Sequence, residues 1–162
     1  MCGRYFLNEA STGYKRLADR ILKNNLSRST KKHQLNEVFP GGDCLLLIND
    51  NNTIVADVKH WGLQLNKKLI INARKESVGY TKAFSHMNKP CIIVANGYYE
   101  WDKQKEKHYF SYNENGLLYM AGICTDDNFV ILTEESTRHY DIHTRQPILY
   151  PAKDVGEYLQ IK

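Results

Sequence analysis

Hydrophobic and polar positions change period along the chain. Tyr14, Leu17, Ala18, Ile21 and Leu22 recur at the spacing of one apolar helix face. Asn8, Ser11 and Thr12 are candidate caps, because their side chains can accept from the first free amides. The basic residues of this segment fall mainly on the opposite face. Residues 27–43 lose any period and end in Pro40-Gly41-Gly42-Asp43, which predicts a loop.

Short apolar runs follow. Residues 44–48 and 53–58 flank Asn49-Asp50-Asn51-Asn52, which predicts a hairpin. Residues 69–73 and 91–95 predict two further strands, with a short helix near 76–84 between them. Residues 108–112 and 117–124 flank Asn113-Glu114-Asn115-Gly116, a second predicted hairpin. Residues 128–133 and 146–149 predict the last strands, and 152–159 a closing helix. Many short strands with helices near the ends predict an α+β fold with a curved, β-rich, barrel-like core. No repeat or low-complexity linker divides the chain, so its 162 residues are expected to form a single domain, 1–162.

Composition removes several classes. Apolar residues make up 42% and charged residues 25%, ordinary globular usage, which excludes disorder, collagen and coiled coil. The longest apolar run, Cys44-Leu45-Leu46-Leu47-Ile48, is too short to cross a membrane. No apolar signal region follows a basic start, so a cytoplasmic protein is expected, nucleoid-associated if bacterial. The net charge of +4 conceals an asymmetry. Arg4, Lys15, Arg16, Arg20, Lys23, Arg28, Lys31 and Lys32 face only Glu9 and Asp19, leaving +6 in residues 1–32 and −2 in the remainder. Such a segment fits an anionic partner, and also fits a solvated helix face with no partner.

The four cysteines lie far apart, at positions 2, 44, 91 and 124. No C-x-x-C pair or finger-spaced His supports a zinc site, and without a secretory signal a disulfide framework is not expected. Cys44, Cys91 and Cys124 sit in apolar stretches and read as core thiols. Cys2 differs. Removal of Met1 would leave it with an α-amine and a thiol on adjacent carbons. An α-amine with a pKa of about 7.7–8.0 is partly neutral near pH 7 and can form a Schiff base with an aldehyde. The tethered thiol can then close a five-membered thiazolidine. The alternative is a frayed terminus with an idle thiol. Gly3 permits close backbone approach, and Arg4 places a cation beside the amine and thiol, unless it is only a surface charge.

Three further segments carry candidate chemistry. In Asn72-Ala73-Arg74-Lys75-Glu76, Asn72 can hydrogen-bond a sugar or a covalent adduct and Arg74 can grip phosphate; a plain strand-to-helix turn is the alternative. In Asn96-Gly97-Tyr98-Tyr99-Glu100-Trp101, Glu100 between large aromatics would be desolvated and raised toward a neutral pKa. The alternative there is an exposed Glu100 with Tyr99 and Trp101 packed inward. In Asp141-Ile142-His143-Thr144-Arg145-Gln146-Pro147, His143 suits proton transfer. His139 stands four residues earlier, but no H-E-x-x-H context supports a metal pair, and neither a metal nor a cofactor is expected. Trp61 and Trp101 can stack bases, or can simply pack in the core.

Taken in order, these segments resemble the SOS response-associated peptidase (SRAP) family. The resemblance runs from Met1-Cys2-Gly3-Arg4 through Val38-Phe39-Pro40, Trp61-Gly62-Leu63, Asn72-Ala73-Arg74-Lys75-Glu76 and Gly97-Tyr98-Tyr99-Glu100-Trp101. It ends with Ala121-Gly122-Ile123, Ile131-Leu132-Thr133 and Ile142-His143-Thr144-Arg145-Gln146-Pro147. It implies a sensor of abasic sites in single-stranded DNA that crosslinks to the lesion and shields it from strand cleavage. By the same resemblance, Cys2 is the nucleophile, and Asn72, Glu100 and His143 are the supporting catalytic residues. Arg4 and Arg74 match phosphate contacts, and Trp61 and Trp101 match aromatics near the lesion. A monomer without membrane partners is expected. The chain is shorter than typical members, and Asn96 replaces a common Asp. Two other functions remain open from the sequence: a peptidase or amidohydrolase using Cys2 as N-terminal nucleophile, with self-catalysed loss of Met1, and a non-catalytic binder of single-stranded nucleic acid.

Overall fold

Strand pairing places the first strand of the chain in the interior of a sheet. The computed structural model describes residues 1–113 and 115–162. In chain order it forms β1 (Tyr5–Leu7), α1 (Thr12–Lys23), β2 (Asn36–Val38), β3 (Asp43–Asp50), β4 (Thr53–Trp61), β5 (Leu63–Leu65), β6 (Lys68–Ile70) and β7 (Asn72–Arg74). There follow β8 (Lys89–Ala95), β9 (Gly97–Trp101), β10 (Lys107–Phe110), β11 (Leu118–Cys124), β12 (Asn128–Glu135), β13 (Arg145–Pro147), β14 (Leu149–Tyr150) and α2 (Val155–Tyr158).

The predicted helix and first hairpin both form. Ser11 caps α1, its Oγ accepting the Tyr14 amide at 3.2 Å. Tyr14, Leu17 and Ile21 pack on the core, whereas Leu22 points outward. Between β3 and β4, Asn51 and Asn52 take φ of 50° and 66°, the left-handed pair that a two-residue turn needs to match strand twist.

β4, β3, β8, β11 and β12 pair in that order, and β12 returns to β4. The closing seam is short and parallel (Asn128↔His60, Phe129↔Trp61), so the barrel-like core is a mixed ring rather than a regular barrel. Leu46, Ile93, Met120, Phe129 and Ile131 fill it, together with the buried thiols Cys44, Cys91 and Cys124. A second sheet, ordered β10-β9-β1-β2, lies beside the ring and holds β1 between two partners.

Several expectations fail for local reasons. Residues 27–43 include β2, three residues too short to show a period. Residues 108–112 and 117–124 do not form a hairpin: β10 pairs with β9, and β11 joins the ring against β8. Asp102 makes the competing turn, its Oδ1 accepting the amides of Gln104 and Glu106 at 2.9 Å each, and Glu114 lies outside the described residues. The expected helix near 76–84 is only a 3₁₀ turn at Lys82–Phe84, because Glu76 is drawn to Arg145 and Ser77, Gly79 and Thr81 are weak helix formers. The closing helix splits into a 3₁₀ turn at Ala152–Asp154 and the single turn of α2. The strand expected at 69–73 breaks at Ile71, whose carbonyl accepts both Trp61 Nε1 and the Ile131 amide at 3.1 Å.

Asn96 fixes the far end of β1. Its Oδ1 accepts the Asn8 amide at 2.7 Å and its Nδ2 donates to the Gly116 carbonyl at 2.9 Å. An Asp here has no matching donor when ionised. Asn96→Asp should therefore lower stability by about 1–3 kcal/mol, read from the urea midpoint; an unchanged midpoint would remove this role.

Candidate active site

Four segments remote in sequence meet where the chain begins. The Met1 amine lies 3.3 Å from Glu100 Oε2 and 2.7 Å from His143 Nε2. Asn72 Nδ2 donates to the Cys2 carbonyl at 3.0 Å. Cys2 is fully buried, its Sγ 3.8 Å from the Arg4 carbonyl. Cys2, Asn72, Glu100 and His143 are thus brought together, and each has a local reason for its orientation. Along β7, Asn72 and Arg74 share one face while Ala73 turns into the core. Along β9, Tyr98 and Glu100 turn inward, and Tyr99 and Trp101 stay half-exposed. This reverses the alternative in which Glu100 faced solvent. His143 Nδ1 lies 3.0 Å from the Arg145 amide nitrogen and 3.1 Å from its carbonyl oxygen, so both neutral tautomers have a partner.

Burial dominates the electrostatics. Glu100 is 2% exposed, and burial pushes its pKa up to about 7 although the Met1 ammonium pulls it down. Burial, and then the Met1 ammonium, lower His143. Burial raises the Cys2 thiol, and the Glu100 carboxylate adds to that, so the thiol is held protonated. Asn72 Oδ1 and Glu100 Oε1 are buried with no hydrogen-bond partner among the described residues.

The expected DNA-contacting residues divide. Trp61 is a correction. It is fully buried, its ring 5.3 Å from Tyr5 and 6.1 Å from Phe129, so no face is open to a base. Trp101 is half-exposed, and the Arg4 guanidinium lies 5.1 Å over its ring and 4.1 Å over Phe39. Arg4 also pairs with Glu37 at 3.2 Å, and Lys107 holds the same carboxylate. Arg74 is exposed, on the Asn72 face, with no ion pair among the described residues. His139 and His143 turn to different partners, Tyr98 and the Met1 amine.

Sequence reading missed the aromatic partner Phe39, the charged partners Glu37 and Lys107, and the bond between Tyr98 and His139. Only Phe39 carried a signal, within Val38-Phe39-Pro40. The basic segment also does not converge on Cys2. β1 runs from Arg4 toward Asn8, whose amide is bound at Asn96, about 13 Å along the strand from Glu100. The α1 cations follow that end in the chain, and Arg4, of the eight basic residues, precedes β1 and lies over Trp101.

Glu100 also makes stability depend on pH. Its folded pKa of about 7 exceeds an unfolded value of about 4.3, so the folded state holds the extra proton between them and stability falls as pH rises through that window. Glu100→Gln should therefore gain on the wild type between about pH 5 and about pH 8, by at most about 3 kcal/mol, in urea denaturation. A difference that does not vary with pH would contradict the raised pKa.

Comparison with known proteins agrees with this architecture. The chain is 26% identical over 188 aligned positions to the abasic site processing protein YoqW of Bacillus subtilis, covering 100% of this chain and 81% of that protein. The abasic site processing protein YoaM of the same organism is 26% identical over 189 positions, with coverage of 100% and 80%. Both alignments are longer than the chain, so these relatives carry segments that it lacks. A crystal structure of a protein from Bordetella bronchiseptica matches with a TM-score of 0.74 at 18% identity, over 98% of this chain and 88% of that one, a likeness of fold. The family model described as SOS response associated peptidase (SRAP) matches residues 1–162, and the chain belongs to that family.

Proposed function

We propose that the protein captures abasic sites in single-stranded DNA covalently, through the α-amine and thiol of Cys2 after Met1 is removed. The observation that carries this reading is the Met1 amine, held at 2.7 Å by His143 and 3.3 Å by Glu100 on the residue bonded to Cys2. Loss of Met1 moves the α-amine one residue inward, beside the same two groups. The names of YoqW and YoaM, abasic site processing proteins, support the substrate.

The chemistry follows from the side chains. An abasic deoxyribose rests mainly as a closed hemiacetal. Opening it takes a proton from the C1′ hydroxyl and gives one to the ring oxygen. Environments that push Glu100 up and His143 down assign Glu100 the acid and His143 the base. The Cys2 amine adds to the C1′ aldehyde carbon. With Glu100 recharged by the proton His143 took and the amine proton passed to the new oxygen, the resulting hydroxyl leaves as water with a proton from Glu100, and the nitrogen returns its last proton to the Glu100 carboxylate, giving the neutral Schiff base. Cys2 Sγ then adds to the imine carbon, the C=N electron pair moves to nitrogen, and the thiol proton ends there. The free acceptors Asn72 Oδ1 and Glu100 Oε1 suit sugar hydroxyls. Arg74, Arg4 and the half-exposed Trp101 hold the strand. We read the protein as a monomer acting in the cytoplasm. No helix among the described residues is long and apolar enough to cross a membrane.

The same grip on Met1 favours a second activity at this site. The site removes Met1 itself by hydrolysing the Met1–Cys2 peptide bond: His143 takes the proton of the water that attacks the Met1 carbonyl carbon, and Glu100 gives one to the Cys2 nitrogen as the C–N bond breaks.

Incubation with an abasic oligonucleotide should give a heat-stable protein–DNA adduct on a denaturing gel. Cys2→Ala should abolish it, and Glu100→Gln should slow it by about 10²-fold. A normal adduct from Cys2→Ala would sink the proposal, and reversible binding with no adduct would favour a plain nucleic-acid binder. Mass spectra of the same preparations report Met1: its retention in Glu100→Gln alone supports self-removal. The two tryptophans should separate in affinity for an unreactive abasic analogue. Trp101→Ala should weaken it by about 1–3 kcal/mol, whereas Trp61→Phe should lower stability and leave affinity unchanged.

A further inference from the structure

His143 is carried by a turn with little packing of its own. Thr137, Arg138, Tyr140, Asp141 and Thr144 are all exposed. At its base, Gln146 Oε1 accepts from Ser136 Oγ at 3.4 Å and from the Thr137 amide at 3.2 Å. The middle of the turn depends on His139. Its carbonyl accepts the amides of both Ile142 and His143 at 2.9 Å, so the position of His139 sets the position of the His143 backbone. The His139 ring stacks on Phe110, centroids 3.7 Å apart and planes 18° apart, and its Nε2 lies 2.7 Å from the Tyr98 hydroxyl. Tyr98 is 2% exposed and stands two residues before Glu100 on the same inward face of β9.

We propose that the Tyr98–His139 hydrogen bond is a positioning device: it ties the strand bearing Glu100 to the turn bearing His143 and so sets how the two groups meet around the N-terminal amine. Neither residue touches that amine, so both are positioning residues. The inference rests on the capture reading above for its effect on rate, and on geometry alone for its effect on His143. A buried tyrosine hydroxyl normally takes a partner. Here the partner is the residue from which the turn hangs. Without the bond the turn keeps its base at Gln146 and the Phe110 stack, and the His143 ring loses its fixed distance to Glu100. Acid–base steps between placed groups are sensitive to displacements well under a bond length.

Tyr98→Phe keeps the ring and deletes only the hydroxyl. His139→Gln keeps a polar group able to meet that hydroxyl, and His139→Ala removes it. At saturating abasic oligonucleotide, Tyr98→Phe and His139→Ala should form adduct about tenfold more slowly, with affinity for an unreactive abasic analogue unchanged, and His139→Gln should recover most of the rate. In ¹⁵N-detected titrations, the lowered His143 pKa should move back toward an ordinary imidazole value in Tyr98→Phe. Wild-type adduct rates and an unchanged His143 titration in Tyr98→Phe would overturn the inference. So would a loss that tracks affinity or thermal stability alone. If the wild type forms no adduct, the capture reading fails, and the His143 titration still decides the positioning role.

Discussion

An α-amine lying against a buried carboxylate is the constraint on which the rest of the structure depends. Chain ends normally fray, because ordering them costs backbone entropy with few contacts in return. Here β1 begins at Tyr5 and is paired on both sides, by β2 and by β9. Asn96 holds the far end of β1 by taking the Asn8 amide. With both edges and one end fixed, the residues before Tyr5 have little freedom: the Met1 amine meets Glu100 while its side chain stays exposed, and the buried Cys2 gives its carbonyl to Asn72. The small sheet therefore serves the site more directly than the larger ring does. The ring supplies Asn72 on β7, the anchor for the His143 turn, and the apolar mass behind them.

Desolvation and charge oppose each other at this point, and desolvation is the larger. An ammonium 3.3 Å away would hold an exposed glutamate well below its ordinary pKa, yet Glu100 rises to about 7. The same burial lowers His143 and keeps the Cys2 thiol neutral. Three groups that would be charged or reactive in water are thus held near neutrality within one small volume. With Met1 in place the thiol has no neighbouring amine to act with, so the arrangement is prepared but inactive in the proposed chemistry.

Local pattern made part of this legible. The α1 periodicity, the Asn-rich β3–β4 turn and the α+β class follow from interactions between residues close in sequence. The second hairpin failed because Asp102 makes a better turn nearer to β9, so β10 and β11 serve different sheets. Cys2, Asn72, Glu100 and His143 were readable as an ordered set, although no local signal said they would meet. Glu100 was the informative case: alternation along β9, between Tyr99 and Trp101, favoured an exposed carboxylate, and the fold buries it instead. The two tryptophans looked alike in sequence and parted for the same reason. Trp61 ends a ring strand and falls between Tyr5 and Phe129, whereas Trp101 ends a strand of the smaller, half-open sheet. The Tyr98–His139 bond joins residues 41 apart, and no periodicity reports a pair of that kind.

The distribution of cations bears on how such a site holds DNA. Most of the basic N-terminal segment lies on α1 and beyond, past the end of β1 remote from Glu100. At the site, Arg74 makes no ion pair among the described residues, and Arg4 is shared among Glu37, Phe39 and Trp101. In the proposed complex, two phosphate contacts on a single strand would give a log–log salt slope of only about −1.4. That is a weak electrostatic hold, and the relatives' additional segments are absent here to reinforce it. A reversible binder built this way would release its target quickly at physiological salt. A protein that ends by forming a covalent bond does not need a long residence beforehand. It needs the lesion to reach the amine in the right orientation, once. In the proposed mechanism a paired terminus, two groups with opposed pKa shifts and a half-exposed aromatic supply orientation rather than affinity, and that balance fits capture better than it fits storage of a strand.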